Sequence, residues 1–474
     1  MLSGSEASVP PMTTAVHALR YLQPSVLSPS RLDLATSGGA TPHGAAEHPR
    51  FFTGALRHPD AAAAALLAVA DVAATRYHRP TGAASLDPVV TADGDRLRFE
   101  SFSGCGGVHA RLDVLPEGLD GAATGHGTTN VDVNAPLREA LRLRTPGERL
   151  RLAVGADELA VGVGAEELVE RRVPLPQRWL KGFAETQVLT ARFDRRAALP
   201  AAEAVRFLRT LPAGVSGSGR STVRWVLPAG PGLRPTSRPG PGAICLPGPE
   251  RLSALRPLLR HATGLHVYAP PGTPTEPTAS AWELTFPGGR LTLTLSPDSS
   301  RGFSGEGGLL DLLARPAGTA EDVDALAALL AWDPRIEPAD LAEDSGLTPD
   351  RVRSALAHLA TGGQIGYDLA EAAHFHRQLP YDSGRVADRN PRLRSARALL
   401  AADAVGPVTG DLRVVAVGDH VHHVRVGADG TALGCTCRWW ARHRGGRGPC
   451  SHVLAVRMTN GTDGAIDVDG AVRK

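Results

Sequence analysis

The sequence predicts a multidomain α+β protein, with a mixed N-terminal region, a winged-helix-like segment and a small C-terminal β-meander closed by a helix. Three observations predict it. Helix and strand patterns are mixed through residues 49–227 in no obvious repeating order. A succession of helix, helix, turn, helix and strand fills 320–370, and three of the five cysteines lie within eighteen residues near the C-terminal end. A chain of 474 residues has room for several domains, at roughly 100–200 residues each.

Residues 1–48 are rich in Ser, Thr, Pro, Ala and Gly and read as a disordered tail. An N-terminal α+β domain is expected over 49–227. In it the alanine-rich stretch 51–77 reads as a helix, LRFESF (97–102) and VHARLDVL (108–115) as strands, and APLREALRL (135–143) as a short helix. Residues 151–163 resemble strands or a hairpin, and 174–189 a helix. Residues 228–249 hold seven prolines and five glycines, more than half of the stretch, and so read as a linker or long loop. A middle region, 250–315, begins with a helix at 250–262. It continues with WELTF and RLTLTL, which alternate in polarity around a PGG turn as a hairpin does.

The segment 320–370 supplies the winged-helix-like reading. EDVDALAALLAW and EPADLAEDSG form two helices. LTPDRVRSALAHLATGG forms a third, with Thr348 placed to cap it, Pro349 at its first position, and Val352, Leu356 and Leu359 on one face. QIGYDL (364–369) follows as a strand. Charge opposes a DNA-reading role here, because ten acids face three arginines between 321 and 370, and phosphate contact needs the opposite balance. The sign reverses in the basic C-terminal segment: between 371 and 458, thirteen arginines face seven acids. The whole chain carries only +2, so it is not an electrostatic nucleic-acid binder as a whole.

The cysteine cluster reads Cys435-x-Cys437, twelve residues, Cys450-x-His452. Two cysteines one residue apart point to the same side of an extended chain, and Gly434 frees the backbone to turn there. SHVLAVRM reads as a helix, which sets the second pair at a helix N-terminus, where a thiolate is favoured. Upstream, LRVVAV (412–417), HVHHVRV (420–426) and TAL (431–433) form a β-meander that delivers the first pair. Three thiolates and an imidazole in a reducing compartment are a tetrahedral Zn2+ site. His443 and the upstream His420, His422 and His423 compete with His452 as the fourth ligand, and His452 is preferred because its spacing repeats that of the first pair. Four protein ligands leave zinc no open position, so the ion is structural and not catalytic.

Cys435, Cys437, Cys450 and His452, after a short meander and before a helix, resemble the SWIM zinc finger over about residues 411–458 of the segment 371–474. More loosely, the whole chain is similar to bacterial SWIM zinc finger family proteins. That resemblance implies DNA or protein contacts, and MoxR-type AAA ATPases and von Willebrand A proteins as partners. The loop between the two pairs carries Arg438, Trp439, Trp440, Arg442, Arg444 and Arg447, and no acid occurs from 435 to 458. Arginines beside aromatics fit phosphate contact with base stacking, or an acidic protein surface.

The rival reading is an enzyme with a Cys105 nucleophile, beside flexible glycines and with His109, His126, Asp132 and Asn134 nearby in sequence. No P-loop, GxSxG, HExxH or dinucleotide-binding glycine motif accompanies it, and the expectation is a binding protein rather than an enzyme. The chain's start lacks a basic region followed by an apolar core, and AAAAALLAVA (61–70) is too short and too weakly apolar to span a bilayer. The expected location is therefore the cytoplasm with no membrane contact, and the Ala-, Gly-, Pro- and Arg-rich composition points to a bacterial source.

Overall fold

The computed structural model describes residues 18–21, 24–78, 87–123, 125–155, 171–174, 177–212, 223–300, 302–303, 309–310, 320–379, 391–427, 432–444 and 448–463. Helices and strands are mixed across several sheets, and the architecture is α+β with more than one domain.

A ten-stranded antiparallel sheet dominates. Its order is Asp194–Pro200, Gly264–Ala269, Ser280–Phe286, Gly289–Leu295, Val108–Val114, Leu97–Phe102, Val89–Ala92, Gly127–Asn130, Gly39–Thr41 and Gly44–Ala46. Period-2 alternation sorts the side chains of these strands onto two faces. Leu97, Phe99, Val108, Ala110, Leu112, Val114, Trp282, Leu284, Leu291 and Leu293 enter the main core, which the Pro59–Ala74 helix covers. The intervening residues Arg98, Glu100, His109, Arg111, Asp113, Glu283 and Arg290 take the other face, and they too are buried. A smaller five-stranded sheet, Leu119–Ala123, Phe52–Leu56, Leu150–Val154, Arg31–Leu34 and Val26–Ser28, closes the N-terminal body.

This sheet redraws three sequence boundaries. The tail assigned to 1–48 contributes strands from Val26–Ser28 through Gly44–Ala46, while residues 1–17 lie outside the described residues. Within 51–77, Phe52–Leu56 is a strand and the helix starts at Pro59; Phe52, Gly54 and Leu56 pair with Leu150–Val154. The stretch 228–249 is not a linker, because strands Val223–Ala229, Gly232–Thr236 and Ile244–Pro247 form a three-stranded sheet. Gly230, at φ +57°, makes the tight turn, and Pro235 lies on an edge strand, where a missing N–H costs no ladder bond. The regions 49–227 and 250–315 therefore share one sheet and one core. Of the predicted 151–163 strands, 156–163 lie outside the described residues.

Residues 320–376 cover the charged face. Helices Ala320–Leu329, Pro338–Ser345 and Pro349–Thr361 pack around Leu326, Leu341, Val352, Leu356 and Leu359. The hairpin Ile365–Asp368 with Ala373–His376 follows. Asp368, at its first strand's end, accepts from Arg98 Nη1 at 2.7 Å and Arg290 Nη2 at 2.5 Å, and lies 3.2 Å from Arg111 Nη2. Phe375 receives the Arg98 guanidinium 4.1 Å above its ring. Arg377 pairs with Glu100 and stacks over Phe183 of the Gln177–Thr190 helix at 4.3 Å.

The hairpin also buries two histidines. His376 Nδ1 accepts the Trp332 N–H at 2.8 Å, and its ring stacks on Trp332 at 4.4 Å. Burial pushes both His374 and His376 down to about 4. In the unfolded chain each titrates near 6.5. The unfolded state thus binds more protons between about pH 6.5 and 4, and the hairpin loses stability as pH falls through that window. Asp93, pushed up to about 6 by burial despite Arg98 beside it, opposes this trend. Melting curves at pH 7 and 4.5 for the parent and for His374→Leu isolate the histidine contribution. The variant is expected to lose less stability on acidification, by roughly 2 kcal/mol, since about two pH units of that window lie between these values at about 1.4 kcal/mol per unit.

Candidate metal centre

The C-terminal module begins with four antiparallel strands, Val405–Thr409, Leu412–Val417, His420–Val426 and Ala432–Cys435. One face buries Val415, Val424, Val426 and Ala432 against Val453 and Val456 of the Ser451–Asp463 helix. The last strand ends at Cys435, and Cys437 follows as the cap of a short helix, Arg438–His443. Cys437 Sγ accepts the Trp440 N–H at 3.4 Å, and Cys450 Sγ accepts the Val453 N–H at 3.5 Å at the start of the second helix. Both sulfurs therefore sit where helix N-termini favour negative charge. Trp440 packs over Gly434, where a Cβ would stand in ordinary contact at 3.4 Å from the indole Nε1.

The ligand atoms of Cys435, Cys437, Cys450 and His452 all lie within 4.8 Å of one another, the one such group among the described residues. Cys435 Sγ is 3.6 Å from His452 Nδ1. A tetrahedral zinc with Zn–S near 2.3 Å and Zn–N near 2.0 Å requires ligand separations of roughly 3.5–4 Å, so the donor set fits Zn2+. The three thiols are linked through their hydrogen bonds: the bond from Cys435, together with His452, lowers the Cys450 thiol, the bond to Cys450 raises Cys435, and burial raises Cys437. The rival histidines go elsewhere. His443 packs on Trp439 at 4.5 Å between ring centroids, and His422 stacks on the His452 ring at 4.1 Å without joining the ligand group.

Residues 422–456 match the family model of the SWIM zinc finger. The SWIM match and the four ligands coincide, and the rest of the chain lies outside the match. No curated protein matches the chain. Among solved structures, proliferating cellular nuclear antigen from Entamoeba histolytica aligns over 52% of this chain and 98% of its own, at 10% identity and a TM-score of 0.31, too low to define a shared fold.

The sequence reading missed two parts of the SWIM module. The loop between the ligand pairs contains the Arg438–His443 helix, whose signal is a cysteine cap followed by residues of fair helix propensity. Arg392, on the Pro391–Ala401 helix, clamps that loop: its Nη1 donates to Pro449 O at 2.9 Å and its guanidinium covers Trp439 at 4.6 Å. Arg438, Arg442 and Arg444 are exposed, Trp439 and Trp440 are half-buried, and Arg447 lies outside the described residues. The module is joined to the body, because Leu454 and Ala455 pack with Leu393 and Ala396 and with Ala184 and Val188 of the Gln177–Thr190 helix.

The members of the Cys105 constellation make different contacts. Cys105 Sγ lies 3.4 Å from Ser103 Oγ, and His109 faces Glu100 at 3.2 Å. Asp132 accepts from Ser25 N and Asn134 Nδ2, while Asn134 Oδ1 caps the Ala135–Leu143 helix through Leu137 N at 2.8 Å. Cys105, His109, Asp132 and Asn134 thus each have a structural partner, and the His126 ring lies beside Gly94. Among the described residues no helix is long and apolar enough to cross a membrane.

Proposed function

We propose that the protein is a binding protein whose zinc-braced SWIM module holds nucleic acid through its phosphate backbone. The observation that carries this reading is a groove of about 1000 Å³ beside the metal centre, lined by Arg392, Arg438, His420, His423, Thr436 and Ser451 among others, with no carboxylate among its lining residues. Arg442 and Arg444 extend the basic surface along the short helix and its end. Since Arg392 already covers Trp439, phosphate contact outweighs base stacking, and binding is steeply salt-dependent and weakly sequence-dependent.

Helix Pro349–Thr361 is a poor nucleic-acid reader. Eight of its residues are buried, Arg351 is held by Asp322 and Arg353 by Asp350. The winged-helix-like segment serves this reading as a brace on the charged sheet. The same basic groove would accept an acidic protein surface, and the MoxR-type AAA ATPase and von Willebrand A partners implied by the SWIM resemblance belong to that second reading. Either role is binding rather than catalysis, and it suits a reducing compartment that keeps the three ligand thiols unoxidised.

Fluorescence anisotropy with labelled single-stranded and duplex oligonucleotides tests the reading. Arg438→Glu with Arg442→Glu is expected to weaken binding at least tenfold and to flatten the salt dependence by roughly two phosphate contacts, with zinc content unchanged. Equal affinity of parent and variant, or no binding by the parent at low salt, overturns it.

A further inference from the structure

A second basic groove lies on the N-terminal body, far along the chain from the zinc module. It is an open space of about 640 Å³ bounded by the helices Pro59–Ala74, Ala135–Leu143, Ala201–Thr210 and the 3₁₀ helix Pro249–His261. Its floor is aliphatic: Ala64 and Leu259 are half-buried, and Leu67 and Leu141 are buried and show only an edge to the groove. Its rim carries Arg142, Arg144, Arg209, Arg256 and Arg260.

The charges do not cancel. Asp60 holds Arg144, and Asp71 holds Arg142 at 2.8 Å as well as Arg138 at 2.5 Å. Among the described residues, Arg209, Arg256 and Arg260 have no carboxylate partner: Arg256 donates to Leu211 O at 2.7 Å and Arg260 to His261 Nε2 at 2.9 Å. The Nε atoms of Arg144 and Arg256 are buried without an acceptor. Positions in the last turns of their helices explain part of the preference for Arg209 and Arg260. They do not explain why arginines from three elements converge over one apolar floor.

We infer that this groove binds an acidic amphipathic helix of a partner protein. A helix lays its apolar stripe on an aliphatic floor, with anchors at i, i+3, i+4 and i+7, and the small Ala64 allows close approach. Its carboxylates meet the unpaired guanidinium groups, which favour carboxylate geometry. No Phe, Tyr or Trp lines the groove, so it offers no platform on which bases would stack.

The test uses the full zinc-loaded chain and a fluorescein-labelled synthetic eighteen-residue peptide, with leucines at i, i+3, i+4 and i+7 and glutamates elsewhere. A scrambled peptide of the same composition and a single-stranded oligonucleotide serve as competitors. The parent is expected to bind the patterned peptide at least tenfold more tightly than the scrambled one. Arg209→Glu with Arg260→Glu is expected to lose at least tenfold with melting temperature unchanged, and Ala64→Phe, which fills the floor, to lose binding without altering charge. Arg438→Glu with Arg442→Glu is expected to keep the parent's preference for the patterned over the scrambled peptide, which separates this groove from the SWIM surface. No binding of the patterned peptide, equal binding of the scrambled one, indifference to both groove variants, or displacement by the oligonucleotide alone overturns the inference.

Discussion

Purified protein is expected to carry one zinc per chain, and a chain with Cys437→Ala and His452→Ala is expected to carry none. The loss is structural. Apparent zinc affinity in finger peptides is worth on the order of 10–16 kcal/mol of folding free energy, more than the net stability of most domains. Cys437→Ala also removes the sulfur that accepts the Trp440 N–H and starts the Arg438–His443 helix, at a further cost of about 1 kcal/mol. The effect should spread along a defined path. The Ser451–Asp463 helix buries Val453 and Val456 on the meander, and Leu454 and Ala455 on the helices Pro391–Ala401 and Gln177–Thr190. Elemental mass spectrometry reads the metal, and amide hydrogen exchange reads the spread. Protection should fall in the meander and the Pro391–Ala401 helix and persist in the ten-stranded sheet. Zinc retained at full stoichiometry in the double variant would sink the ligand assignment.

The second large effect is expected at Asp368. Its carboxylate is inaccessible to solvent and faces Arg98, Arg111 and Arg290. Burial works against its charge, but the three guanidinium groups outweigh burial and hold it well below the usual carboxylate range. Asp368→Ala leaves three buried arginines to share Asp113, Asp93, Glu283 and Glu371. Removing one partner from a buried ion network costs about 3–5 kcal/mol, and here the hairpin Ile365–Asp368 with Ala373–His376 also loses its main tie to the sheet. A depressed carboxylate contributes its stability in full above the unfolded value near pH 4 and loses it as pH falls toward the folded value. The deficit of Asp368→Ala should therefore be constant from about pH 5 to 8 and shrink below about pH 4. Denaturant unfolding at several pH values measures it; a deficit under about 1 kcal/mol would mean that the arginines find other partners.

Cys435, Cys437, Cys450 and His452 could be read directly from spacing, because metal ligation needs particular atoms at particular intervals and the local chain supplies them. The local elements were equally legible. Ala135–Leu143, the hairpin Ser280–Phe286 with Gly289–Leu295, and the Pro349–Thr361 helix follow from periodicity and turn signals, although Thr348 stands at the N-cap position without a side-chain hydrogen bond to the helix. Domain limits were not legible in the same way. Composition marked 1–48 as a disordered tail and 228–249 as a linker or loop, yet both hold paired strands: Arg31–Leu34 pairs with Leu150–Val154 more than a hundred residues on, and Gly232–Thr236 and Ile244–Pro247 pair with Val223–Ala229 close by. Proline and glycine report local freedom; they are silent about a distant edge that a short strand can pair with.

By itself, the sequence determined the zinc chemistry, the helices and hairpins, and the alternation that gives each central strand an apolar face. Tertiary structure decided what covers the other face. Arg98, Glu100, Arg111, Asp113 and Arg290 alternate with the apolar residues of their strands, and only the arrival of Asp368, Phe375 and Arg377 from almost 80 to 280 residues away makes them a buried network. Alternation is a property of neighbours in the chain, whereas burial depends on which remote segment has the complementary charge and shape to dock there.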